Sequence, residues 1–152
     1  MRKTVYRFAR LAAFVVVGAA LLVPMAVAAA DTSIQPLSAT LVARGAEVDV
    51  TVSFTCPAGY TVGNAYGMPY GGASIYLQQA VTKTEQAAGS GFTNGQTCTG
   101  QPQTAVIPVL ASVPGPPFRN GPAVALASLQ ACDANFNCVY VASGPVTLRI
   151  SR

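Results

Sequence analysis

The 152-residue sequence predicts an all-β domain, and three observations carry that prediction. Apolar residues recur with a period of two in several segments, Gly- and Pro-rich turns separate those segments, and no amphipathic helical period follows residue 30. Beyond that point the chain is rich in Val, Thr, Ala, Ser, Gly and Pro and poor in Lys, Glu and Leu, a bias toward strands.

Residues 1–30 stand apart. Arg2, Lys3, Arg7 and Arg10 precede the apolar run from Leu11 to Ala30, which ends in two A-x-A sites, Ala26-Val27-Ala28 and Ala28-Ala29-Ala30. This is the layout of a signal peptide: basic region, apolar region, small-residue exit. A retained membrane anchor is the competing assignment. Gly18, Pro24 and the lack of a basic flank after the run favour cleavage. No cysteine lies at the exit to take a lipid, and no second apolar span or sorting tail follows, so a secreted, extracellular protein is expected.

Cleavage changes the electrostatics. The whole chain carries nine Lys+Arg against five Asp+Glu, a formal charge of +4. From Asp31 onward it has five basic residues (Arg44, Lys83, Arg119, Arg149, Arg152) and five acidic ones (Asp31, Glu47, Asp49, Glu85, Asp133). A neutral chain gives no reason to expect nucleic acid or, after cleavage, a membrane as partner. The 122 residues from Asp31 fit one domain of common size, expected to be monomeric.

Taken in order, residues 31–36 read as a flexible N-terminal arm, and the domain proper spans 37–152. Ser38–Arg44 is a first strand, turned by Gly45. The clearest element follows, with Val48, Val50, Val52, Phe54 and Cys56 alternating with Asp49, Thr51, Ser53 and Thr55. Pro57-Ala58-Gly59 closes it. Residues 59–72 hold five glycines, Tyr60, Tyr66, Met68, Pro69 and Tyr70 without a period, and read as a long loop. Alternation resumes over Ser74–Thr82. The polar stretch Lys83–Gln96 reads as a connection, with Asn94-Gly95 as a turn.

Gln103–Leu110 is a strand whose Pro108 argues for an edge position or a strand end. Pro114-Gly115-Pro116-Pro117 is a stiff connector. Pro122–Cys132 is a long apolar strand with Ala123, Ala125, Ala127, Leu129 and Ala131 on one side, small enough for close approach of another sheet. Val146, Leu148 and Ile150 form a last strand. Six or seven strands with turn-rich connections fit a two-sheet antiparallel β-sandwich of the immunoglobulin type.

Four cysteines after a signal peptide read as two disulfides. Cys132 and Cys138 enclose the turn-forming Asp133-Ala134-Asn135-Phe136-Asn137, which favours a local clip and leaves Cys56 with Cys98. The rival is the usual immunoglobulin pairing between the second and sixth strands, here Cys56 with Cys132 and Cys98 with Cys138. Two hallmarks of that class are missing: the chain has no Trp, and Gln130 stands where a corner tyrosine would lie.

The chemistry available is narrow. Without histidine there is no Ser-His-Asp or Cys-His arrangement. No C-x-x-C, metal-ligand cluster or phosphate loop occurs, so neither cofactor nor metal is expected. The Asn residues lack Ser or Thr two positions on, so no glycosylation acceptor exists. A hydrolase would have to be built on Glu47, Asp49, Glu85 and Asp133. An enzyme is not expected. Surface remains: tyrosines on a glycine-rich backbone give amphipathic contact area at low entropic cost. Tyr60, Tyr66, Met68 and Tyr70 are the leading binding candidates, followed by Phe118 and Arg119 after the proline run.

The chain resembles a family of small secreted immunoglobulin-like domain proteins of unknown function from high-GC soil bacteria. The residues that carry the resemblance are Phe54-Thr55-Cys56-Pro57-Ala58-Gly59-Tyr60, Cys98-Thr99-Gly100 with Gln103, Gly121-Pro122-Ala123-Val124-Ala125, Cys132 and Cys138. It spans most of residues 37–150 and implies a fold, with no activity attached. The Gly/Tyr stretch before Ser74 is longer than that family leads one to expect. A looser similarity is to the enediyne-carrying apoproteins, also secreted sandwiches with two disulfides, though no motif matches theirs residue by residue. The functional expectation is a non-catalytic module that binds an unknown protein, glycan or small molecule through the loop at 59–72, with a carrier of small apolar molecules as the alternative.

Overall fold

The computed structural model describes residues 31–63 and 72–152. The signal peptide expected over residues 1–30 lies outside the described residues. Among the described residues nine strands follow one another: β1 (Ser33–Val42), β2 (Glu47–Thr55), β3 (Thr61–Val62), β4 (Ala73–Ala80), β5 (Gln86–Thr93), β6 (Gln103–Ala111), β7 (Gly121–Cys132), β8 (Cys138–Ala142) and β9 (Val146–Ser151). A 3-10 turn at Ala43–Gly45 joins β1 to β2.

The chain is all-β with two disulfides, and its strands do not part into two separate sheets. Hydrogen bonding runs β7-β4-β5-β6-β2-β1-β9 and returns from β9 to β7, closing a seven-stranded barrel. Two contacts make the closure. β4 pairs with β5 from Ala73↔Thr93 to Ala80↔Gln86, and β1 meets β9 in a short parallel bridge, Ala39↔Ile150 and Thr40↔Ser151. β3 and β8 pair with the C-terminal half of β7.

Period-two patterning fills the interior. Val48, Val50, Val52, Phe54 and Cys56 of the β2 segment are all buried, as are Ile75 and Leu77 of β4 and Ile107 and Val109 of β6. Each of the larger side chains contributes roughly 1.5–3 kcal/mol on burial. Small residues share the interior with them: Ala123, Ala125, Ala127 and Ala131 on β7, and Ala87 and Gly89 on β5. Mixing large and small inward side chains lets the interior of a small barrel fill.

Two expectations are corrected. The stretch taken as an arm is part of β1: Ile34 pairs with Phe54, Pro36 with Val52, and Ile34 is buried, with a register shift between Pro36 and Ser38. The stretch taken as a polar connection contains β5, whose inward positions Ala87, Gly89 and Gly91 carry too little apolar surface to show a period. Those glycines are required by proximity. A Cβ on Gly91 would lie 2.0 Å from the Pro108 carbonyl oxygen, and one on Gly89 would lie 2.3 Å from that of Leu110.

Pro108 lies within β6 and not at its end, and the expected edge position holds on the β5 side only. Along β2 the ladder is continuous from Glu47↔Leu110 to Phe54↔Gln103, but the β5–β6 ladder covers only Gly89↔Ala111 and Ser90↔Leu110. Ser112 N–H donates to Ala88 O and Ala111 N–H to Ala46 O. Alternation from these bonds turns the Pro108 nitrogen toward β5, where it has no hydrogen to give.

The disulfides are Cys56–Cys98 and Cys132–Cys138, the favoured pairing. In a chain-entropy model the first, closing 42 residues of separation, contributes roughly 4 kcal/mol and the second roughly 2 kcal/mol. Cys132 faces Cys138 at the end of the β7–β8 hairpin. Its turn is organised by Asp133, whose carboxylate accepts from the N–H groups of Asn135 and Asn137 and from Asn137 Nδ2. These bonds, led by that from the Asn137 side chain, hold the Asp133 carboxyl below the usual aspartate range.

Two tests follow from this packing. Gly91→Ala should destabilise the fold by about 1–3 kcal/mol through overpacking, while Gly144→Ala, whose added Cβ meets nothing within 4 Å, should be near neutral; urea denaturation measures both. Asp133 ionises more readily folded than unfolded, so its contribution is present above the unfolded-state pKa and lost as pH falls through the folded value. Asn137→Ala should raise the Asp133 midpoint in a carboxyl NMR titration, and an unchanged midpoint would assign the depression elsewhere.

Candidate functional site

The residues singled out in the sequence separate in space. Tyr66, Met68 and Tyr70 lie outside the described residues. Tyr60 is half-buried and packs against the core, with its carbonyl accepting from Cys98 N–H. Phe118 is 1% exposed and belongs to the core. The proline run does not push it outward. Phe118 N–H donates to Gly45 O, and the ring closes the barrel end beneath the β1–β2 turn. Arg119 is exposed beside it.

The 118–119 segment is fixed by one side chain. Gln79 of β4 is buried, and its amide makes two bonds to the backbone of Arg119: Nε2 donates to the carbonyl at 2.7 Å, and Oε1 accepts from N–H at 2.8 Å. A strand position that alternation assigns to the core thus carries a polar group, which is tolerated because both ends of the amide are paired.

A group of exposed aromatic and apolar side chains lies elsewhere, on the outer face of β5-β4-β7-β8. Register sets it out in rows. One row runs Phe92, Ser74, Ser128, Ala142; the next runs Ser90, Tyr76, Leu126; Tyr140 pairs with Gln130 on the other side of the first row. Phe92 is 62% exposed and Tyr140 69%, with Tyr76 and Leu126 also exposed. These residues border a groove of about 480 Å³ whose lining contains no charged side chain.

The groove floor is polar at its centre. Ser74 Oγ and Ser128 Oγ share a hydrogen bond of 2.7 Å across β4 and β7. Ser143 Oγ accepts from Ala127 N–H, which fixes the groove wall where β8 ends. Tyr76 OH accepts from Gln78 Nε2, which orients that ring along the strand. Ser90, Gly91 and Phe92 also line a neighbouring hollow with Glu47, Pro108 and Leu110, so apolar surface continues past Phe92 onto β6.

The groove is bordered by the roots of the Gly/Tyr loop. Gly63 N–H donates to Gln130 O, and Gln130 N–H donates to Gly72 O. Both flanks of residues 64–71 are therefore attached at the β7 position that faces Tyr140.

The remaining polar candidates do not converge on this groove. Glu47 and Asp49 occupy outward positions of β2, Glu85 lies in the β4–β5 turn, and Asp133 lies in the β7–β8 turn. Among the described residues no group of three or more His, Cys, Asp or Glu could hold a metal ion. Among them, too, no helix is long and apolar enough to cross a membrane. Disulfides are the pattern of an oxidising compartment.

Tyr76, Phe92, Leu126 and Tyr140 were not among the sequence candidates. The signal available was weak: Val124 and Leu126 make both faces of β7 apolar, and Tyr76 stands on the polar side of β4. Only the register places these residues together. No family model, curated protein or solved structure matches the chain.

The Gln79 clamp gives a direct test of what positions the 118–119 segment. Gln79→Ala strands the N–H and C=O of Arg119 and should cost about 2–3 kcal/mol, read as a lower urea midpoint. An unchanged midpoint would mean that solvent replaces both bonds without loss.

Proposed function

We propose that the protein is a secreted, non-catalytic binding module that engages a neutral ligand. The single observation that carries this is the uncharged groove where Tyr76, Phe92, Leu126 and Tyr140 stand exposed around a pair of hydrogen-bonded serines. Large aromatic side chains left in water cost apolar hydration unless a partner covers them, and tyrosine combines apolar area with a polar tip. The absence of a formal charge from the lining selects against ionic ligands. Hydroxyls at the centre supply a few directional bonds within an apolar frame, the composition of small-molecule and glycan sites.

The Gly/Tyr loop belongs to this proposal through its roots beside Tyr140. Tyr66, Met68 and Tyr70 extend the contact surface in this reading, with Tyr60 serving the core. A carrier of small apolar molecules is the second reading, and the groove volume of about 480 Å³ favours it over a flat protein–protein contact.

The fold reading that accompanies this function is an immunoglobulin-like sandwich drawn closed. The order β1-β2-β6-β5 and the order β4-β7-β9 correspond to the ABED and CFG sheets of that class, taken in chain order. The bond Cys56–Cys98 departs from the usual link between the second and sixth strands.

The test is a screen of neutral aromatic fragments and neutral oligosaccharides against the purified protein by NMR. Saturable shifts should fall on Tyr76, Phe92, Leu126 and Tyr140, and Tyr76→Ser with Tyr140→Ser should weaken the best binder at least tenfold. Shifts clustered on another face, or hits drawn mainly from charged compounds, would reject the groove. A loss caused only by replacing Tyr66, Met68 and Tyr70 would move the site into the loop.

A further inference from the structure

We propose a second site, for a tetrahedral oxyanion, at the end of the barrel where the β1–β2 turn meets the segment before β7. A hollow of about 830 Å³ there is lined by Leu41, Val42, Ala43, Arg44, Phe118, Arg119, Asn120 and Arg152. It shares no residue with the aromatic groove. Arg44, Arg119 and Arg152 are three of the five cationic residues of the chain after residue 30, and no acidic residue lines the hollow. The neutrality of the chain as a whole therefore conceals a local excess of one sign.

Backbone contacts bring the first two arginines together. Phe118 N–H donates to Gly45 O at 2.9 Å, so Arg44 and Arg119 are the residues on either side of one hydrogen-bonded pair. The approach is close: a Cβ on Gly45 would stand 2.0 Å from the Phe118 carbonyl oxygen. Arg119 is then held at both its N–H and its C=O by Gln79, and the side chain departs from a fixed backbone.

The turn itself is unusual for its sequence. Ala43 and Arg44 both have positive φ, 45° and 56°, ahead of Gly45 at 92°. Neither is glycine, so both pay for a left-handed backbone that a different turn would avoid. Such strain persists where the surroundings impose it and is concentrated at ligand sites. Here it belongs to the turn that places Arg44 in the lining of the same hollow as Arg119.

Guanidinium groups pair two N–H donors with two oxygens of one anion, and several of them around a hollow favour a dianion over a single carboxylate. Phosphate or sulfate fits that description, either free or as the monoester of a small organic group. Half-buried Leu41 and Val42 supply apolar surface for such a group, and Asn120 adds a neutral polar side chain.

The experiment is a titration of the purified, isotope-labelled protein with inorganic phosphate, inorganic sulfate and phenyl phosphate, each against sodium chloride at matched ionic strength. Saturable amide shifts are expected at residues 41–46, 118–120 and 152. Arg44→Gln and Arg119→Gln should each weaken binding at least tenfold, while Lys83→Gln, which removes one charge outside the hollow, should change it less than twofold. Arg44→Lys separates charge from the paired-donor geometry, and binding weakened several-fold supports the guanidinium role. Tighter binding of phenyl phosphate assigns the site to a monoester, and equal binding assigns it to the free anion. Shifts that do not saturate, that chloride reproduces, or that Lys83→Gln lowers as much as the arginine variants would overturn the proposal. Both arginines are exposed, and unchanged amide spectra in the anion-free variants establish that the fold is intact.

Discussion

Strand β7 has to satisfy neighbours along both edges while presenting almost no side-chain volume to the interior. It pairs with β4 and β3 on one edge and with β9 and then β8 on the other. Its inward residues from Ala123 to Ala131 are alanines except at Leu129. Without that thin inner face, the Val, Ile and Phe side chains of β2, β4 and β6 could not reach across, and the sheet could not close at this radius. The outward apolar residues of the same strand are what remains exposed. One strand therefore sets both the interior packing and the neutral groove above it.

The parts of the fold that were legible in the sequence are those where large apolar residues alternate with polar ones. Val48 to Cys56 and Ile75 to Leu77 announce both the strand and its inward face. β5 was hidden because its inward residues are Ala87, Gly89 and Gly91, which fill a narrow space and leave no hydrophobic signal. The start of β1 was hidden by Pro36 and by a register shift at Leu37, which breaks the period where pairing continues. Pairing of the cysteines was legible because a five-residue polar turn makes the local clip easy to close. Closure of the sheet was not, because a two-position parallel bridge between β1 and β9 leaves no mark on either segment.

The site was less legible than the fold for a geometric reason. Tyr76, Phe92, Leu126 and Tyr140 come from four strands and meet only through register. Phe118 anchors the crossover that follows the proline run, with its N–H bonded to Gly45 O and its side chain buried. Charge shows the same limit. Five basic and five acidic residues sum to nothing, yet Arg44 and Arg119 are 75 positions apart in sequence and neighbours in the barrel end. A count of charges constrains partners only when the charges are mixed in space.

The clasp at Gln130 has a bearing on how such a domain can diversify. Its carbonyl takes the bond from Gly63 and its N–H gives the bond to Gly72, so the chain leaves and re-enters the barrel at a single residue. These two bonds close the segment between those glycines at its ends. Doubling its length would add only about 0.6 kcal/mol of closure cost. A change in the length of that segment therefore costs the scaffold little closure entropy while Gly63 and Gly72 keep their bonds to Gln130.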